Sequence, residues 1–144
     1  MTDTAWQIEH SVETAANRDF AWKFMSDVAN WDDPPARFSL FGPFASRTRG
    51  QTQMLGQPPQ SWQLNGVIPF EAYTIEFELE GAAIFFDWRF TALSGGGTRL
   101  TQRIQLAGKN AAPYLPVVQQ AFAAGLALGM SRIAAAMDRA CASL

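Results

Sequence analysis

The sequence predicts an α+β fold, a curved antiparallel sheet of about seven strands wrapped around a long C-terminal helix, with two short helices after strand one. Three observations predict it. From residue 38 to residue 106 the chain reads as short alternating segments joined by Gly- and Pro-containing turns, which makes an antiparallel meander. The last third carries one apolar stripe at helical spacing. A lone alternating segment stands before the first helical one. With 144 residues, 48% of them hydrophobic and 17% charged, residues 1–144 read as a single domain with its own core.

Residues 6–13 alternate, Trp6, Ile8, His10 and Val12 on one face and Gln7, Glu9, Ser11 and Glu13 on the other. That is a half-buried strand. Asn17 is placed to cap a helix, with Asp19 in its first turn. Phe20 and Phe24, joined by Trp22 and Val28, supply its apolar face. Asp33-Pro34-Pro35 stops it, because proline disfavours helix in the residue before it. A second short turn fits Asp27 to Asp32.

Segments 38–42, 47–55 and 61–68 read as strands, with Gly56-Gln57-Pro58-Pro59 turning between the last two. Tyr73, Ile75, Phe77 and Leu79 then alternate with Thr74, Glu76 and Glu78, and Ile84, Phe86, Trp88 and Phe90 with Phe85, Asp87, Arg89 and Thr91. A two-residue turn at Glu80-Gly81 pairs Leu79 with Ala82, Ile75 with Phe86 and Tyr73 with Trp88. A turn at Ser94-Gly95-Gly96 pairs Leu93 with Gly97 and sets Asp87 beside Arg103 as an exposed ion pair. The strand that follows carries Leu100, Ile104 and Leu106 inward, with Gln102 among them.

Gly108 ends that strand, and one long helix is expected from Asn110 or Ala111, with Pro113 near its first turn. On a continuous wheel Leu115, Phe122, Leu126, Met130, Ile133, Met137 and Leu144 share a stripe, and Gln119 joins it.

Several function classes are excluded. One Cys rules out an internal disulfide framework and a Cys-based zinc site, and one His rules out a multi-histidine metal centre. Neither a dinucleotide fingerprint nor a phosphate loop occurs, so no metal and no cofactor is expected. A net charge of −2 gives no general attraction to nucleic acid or anionic lipid. The first residues lack a basic region followed by an apolar one, and the Ala-rich stretch 121–136 is broken and too short to span a bilayer. A cytoplasmic location without stable membrane insertion is therefore expected.

Polar residues on the apolar inner surface are the candidate functional groups. His10 reads either as a hydrogen-bonded core histidine or as a polar contact or general base in a cavity. Tyr73, Gln102 and Gln119 either sit at the wet ends of a core or orient a ligand. Trp62, Phe77, Phe86, Trp88 and Phe90 fall on inner strand faces, where they serve as plain core or as cavity walls. A pocket bordered by Tyr73, Trp88, Gln102 and Phe122 is expected, with Trp62, Phe86, Gln119 and His10 as further ligand contacts.

The chain carries, in order, the run from Phe20 to Trp31, Gly42-Pro43-Phe44, Gly50, Pro69, Trp88-Arg89-Phe90 and Gly97-Thr98-Arg99-Leu100-Thr101. In these motifs it resembles the SRPBCC superfamily, the helix-grip proteins that include START lipid-transfer domains, the major birch pollen allergen and polyketide cyclase/dehydrase-like proteins. The resemblance implies a helix-grip fold and a cavity between sheet and C-terminal helix. The guest would be a small hydrophobic molecule, lipid, aromatic or polyketide-like. A polyketide cyclase/dehydratase-type enzyme using His10 or Tyr73, and a protein-interaction module using the outer sheet face, stay open beside it. So does a homodimer.

Overall fold

The computed structural model describes residues 4–31 and 36–143. Period-two alternation yields seven strands: β1 (Thr4–Thr14), β2 (Arg37–Leu40), β3 (Arg49–Gln53), β4 (Gln60–Ile68), β5 (Ala72–Leu79), β6 (Ala82–Ala92) and β7 (Thr98–Ala107). All pair antiparallel in one sheet of order β1-β7-β6-β5-β4-β3-β2. Only the step from β1 to β2 leaves the meander. It is spanned by α1 (Arg18–Met25) and a 3-10 turn (Val28–Trp31).

Asn17 caps α1, its side-chain oxygen accepting from the Phe20 N–H at 2.8 Å. Such a cap contributes about 1 kcal/mol. Ala21, Trp22 and Met25 are the buried face of α1, while Phe20 and Phe24 are half-buried. The Asp33-Pro34-Pro35 stop lies outside the described residues, as does Leu144.

The hairpin register follows the turns. Leu79 faces Ala82, Ile75 faces Phe86, Tyr73 faces Trp88, and Asp87 faces Arg103. The expected Asp87–Arg103 ion pair does not form. β7 lies between β6 and β1, so Arg103 has a carboxylate on either side, and it takes the longer Glu9 at 2.9 Å. Asp87 instead accepts from the Thr74 hydroxyl and the Gln105 amide, each at 2.6 Å. The exposed Glu9–Arg103 pair is worth under about 1 kcal/mol.

The C-terminal third also departs from the single helix. It forms a 3-10 turn (Ala112–Tyr114), α2 (Leu115–Phe122) and the long α3 (Leu126–Ala142), with a bend of 48° between the helical segments. Gly125 starts α3 without a side-chain cap, and the small residues Ala123 and Ala124 precede it. The bend resets the helical phase. Val118 is therefore the buried residue of α2, and Gln119 is exposed.

On α3, Leu126, Met130, Ala134 and Met137 are buried and Ile133 is half-buried. α3 packs chiefly along β1, and α2 reaches β7. Asp138 accepts hydrogen bonds from the Thr14 hydroxyl and from the Ala15 N–H, the latter at 2.9 Å, which ties α3 to the end of β1. Met130→Ala and Met137→Ala should each cost about 2–5 kcal/mol, and Ile133→Ala less. Urea midpoints check this. An unchanged midpoint for Ile133→Ala would contradict the packing of α3 on the sheet.

Among the described residues no single helix is long and apolar enough to cross a membrane.

Candidate functional site

Alternation and register together place the inner-face residues in lateral rows. One row runs Ile8, Ile104, Phe86, Ile75 and Leu64 across β1, β7, β6, β5 and β4. Another runs Val12, Leu100 and Phe90. Between them lies His10, Gln102, Trp88 and Tyr73. All four carry polar atoms, and none of these side chains hydrogen-bonds to the described residues. Neighbouring strands stand about 4.8 Å apart, so the row is about 14 Å long.

The row changes character along its length. His10 and Gln102 are half-buried, whereas Trp88 is 5% and Tyr73 1% exposed. The Tyr73 hydroxyl is buried without a partner. Burial pushes its pKa well above the ordinary phenol value, because the charged form loses its water. Buried polar groups are normally satisfied, which makes this one conspicuous. The contrast with Trp31 and Trp62 is direct. The Trp31 indole N–H donates to the Met25 carbonyl at 2.6 Å, and that of Trp62 to the Thr52 hydroxyl at 3.0 Å.

Aromatic rings enclose Tyr73. Trp31 and Trp88 stack on it at centroid distances of 6.0 and 6.2 Å. Phe44 and Trp22 meet it edge-on at 5.1 and 6.0 Å, and Phe90 lies tilted at 6.0 Å. Trp22, Trp31 and Phe44 come from α1, the 3-10 turn and the loop after β2. Sequence reasoning did not assign them to the site, because they lie in stretches without strand alternation. Their aromatic type and their place in the motifs from Phe20 to Trp31 and Gly42 to Phe44 were the available signals.

Toward α2 the concave side is less filled. Ile8, His10, Ile75, Phe77, Ile84, Phe86, Gln102 and Phe122 remain half-buried there. Phe86 touches Phe77 at 5.6 Å and Phe122 at 5.1 Å, both edge-on. Phe122 thus brings α2 to the row beside Trp88. Gln119 does not come to the site, since the phase of α2 turns it outward. Trp62 is buried over Gly50 with its N–H spent, 5.6 Å from Trp31.

A depression of about 260 Å³ involves Arg49, Ser61, Trp62, Gln63, Glu76 and Glu78. Register puts Arg49, Gln63 and Glu76 side by side on the outer face, so this polar hollow is separate from the inner row. Among the described residues no three His, Cys, Asp or Glu side chains cluster as metal ligands.

No protein-family model matches the chain, and no curated protein matches it either. Solved structures do. A norcoclaurine synthase from Thalictrum flavum superposes with a TM-score of 0.71 at 13% identity, covering 99% of this chain and 89% of that one. Ara h 8.0201 superposes with a TM-score of 0.65 at 16% identity, covering 96% and 99%. The chain shares the helix-grip fold of these structures. A second structure of the synthase, in complex with dopamine and hydroxybenzaldehyde, superposes at 0.68 with 13% identity, covering 92% and 85%. At these identities the shared property is the helix grip itself, and the site must be argued from the residues of this chain.

Proposed function

We propose that the chain binds one small, largely apolar molecule on the concave side of its sheet. The observation that carries this reading is the unspent polar row, buried at Tyr73 and Trp88 and left half-covered by protein atoms at its His10–Gln102 end. Phe86, Phe122 and the aromatic groups around Tyr73 supply apolar burial, worth about 25 cal/mol per Å². His10, Gln102, Trp88 and Tyr73 orient the guest by hydrogen bonds that the protein does not make for itself. That a structure of the same fold is in complex with two small aromatic molecules, dopamine and hydroxybenzaldehyde, supports a small-molecule reading.

Lipid, aromatic and polyketide-like guests share the chemistry this surface takes. A cyclase/dehydratase-type reaction would require an acid or base in the row. Tyr73 is a poor base, since burial holds its proton, which leaves His10 at the more open end. The outer face has less to offer a protein partner. Arg99 and Arg103 pair with Glu13 and Glu9, and Asp87 is spent on Thr74 and Gln105.

Titration with 2-ethylnaphthalene, followed by tryptophan fluorescence, tests the reading. Saturable one-to-one binding to the native chain, lost on unfolding, is the expected result. Signal that rises without saturation contradicts it. Incubation with a linear polyketone, recovered unchanged from a binder and cyclised or dehydrated by an enzyme, separates the two.

A further inference from the structure

The geometry points to the Tyr73–Trp88 end of the row as a subsite for an uncharged hydrogen-bond acceptor, a carbonyl or ether oxygen on a flat apolar guest. This rests on the binding reading above and adds the polarity of the ligand.

The indole N–H of Trp88 is a donor only. It makes no hydrogen bond with the described residues. The Tyr73 hydroxyl is unpartnered and fully buried, and its inner-face position directs it away from the sheet. Burial keeps the phenol protonated, so its O–H is available to donate. Two unspent donors therefore stand on neighbouring strands, and a carbonyl oxygen has two lone pairs to offer.

The surroundings exclude a charged guest group here. On β1, β5, β6 and β7 the inner positions hold no Lys, Arg, Asp or Glu, and His10 stands at the opposite end of the row. A carboxylate or an ammonium would shed its water among aromatic rings without a counter-charge from these strands, which is costly. Intercalation is excluded as well. Trp31 and Trp88 already stack on Tyr73 at 6.0 and 6.2 Å, which leaves the hydroxyl and not the ring faces to a guest. Gln102, next in the row, offers both donor and acceptor, so any hydroxyl on the guest belongs toward that shallower end.

Three matched probes test this on the whole chain: 2-acetylnaphthalene, 2-ethylnaphthalene and 2-naphthoate, each titrated at neutral pH. The ketone should bind about tenfold tighter than the hydrocarbon, the equivalent of one good hydrogen bond, and the naphthoate weakest. Tyr73→Phe should cut the ketone's advantage over the hydrocarbon from about tenfold to about threefold, since the Trp88 N–H still donates. That variant keeps the ring and removes no protein hydrogen bond, so it should fold. Equal binding of ketone and hydrocarbon to the native chain overturns the subsite and leaves the binding reading intact. So does a preference that Tyr73→Phe leaves undiminished. Failure of every probe to bind overturns both.

Discussion

Gly50→Ala should lower unfolding free energy by at least about 3 kcal/mol, at the upper end of what overpacking costs. A Cβ at this position would stand 2.2 Å from the Trp62 ring, with two further ring carbons at 2.4 and 2.5 Å. Gly50 and Trp62 are register partners on β3 and β4, so the methyl would point straight into the indole. The ring has little freedom to retreat. Trp62 is 2% exposed, its N–H is held by Thr52, and Trp31 lies 5.6 Å away. Displacing it would strain the layer that carries Trp31 onto Tyr73. The sign is informative, since replacing a strand glycine with alanine in open space stabilises by about 0.5–1 kcal/mol. Gly95→Ala is the control: nothing lies within 4 Å of its Cβ position. Guanidinium denaturation of both variants decides the matter. A midpoint for Gly50→Ala at or above that of the parent would show that the indole does not cover the glycine.

Tyr73→Phe should do the reverse and stabilise the unliganded chain by about 1–3 kcal/mol, the usual penalty of an unsatisfied buried polar group. At this chain length each kcal/mol raises Tm by about 3 °C. The ring and its stacking on Trp31 and Trp88 stay in place, and only the partnerless hydroxyl is lost. Stability gained with selectivity lost is the pattern expected of a group kept for a ligand. The pH dependence has a definite sign. The folded-state pKa of Tyr73 is raised, so the neutral phenol's contribution is complete below the unfolded phenol value of about 10 and is lost as pH climbs through the folded value. In a Tyr114→Phe background, Tyr73 is the sole phenol, and its ionisation should appear only with the alkaline loss of fold. Ionisation near the ordinary phenol value in the folded chain, or a Tyr73→Phe variant less stable than the parent, would mean that the hydroxyl has a partner.

The sheet was legible because its information is local. Alternation sets which residues point inward, and short turns at Glu80-Gly81 and Ser94-Gly95-Gly96 set how they pair. His10, Gln102, Trp88 and Tyr73 were singled out on that basis, but their alignment in one row needed the closure of β1 onto β7, a long-range pairing. Two features escaped. A wheel drawn through one continuous helix assigned Gln119 to the inner stripe, whereas the bend before Leu126 breaks the phase and buries Val118 instead. The ring around Tyr73 was invisible for a different reason. Trp22, Trp31 and Phe44 belong to a helix, a turn and a loop whose meeting depends on tertiary packing and on no periodicity.

The most direct measurement of the central claim is a nitrogen-15 NMR titration of the indole N–H groups with 2-acetylnaphthalene. The chain has five tryptophans, and Trp88→Phe identifies the resonance of Trp88. Trp31 and Trp62 serve as internal references, because their N–H groups already donate to Met25 and Thr52. If the row is the site, the Trp88 N–H resonance moves downfield and saturates with the ligand, while those of Trp31 and Trp62 stay nearly still. A ligand that saturates the chain without moving the Trp88 resonance would place the guest elsewhere and contradict the account.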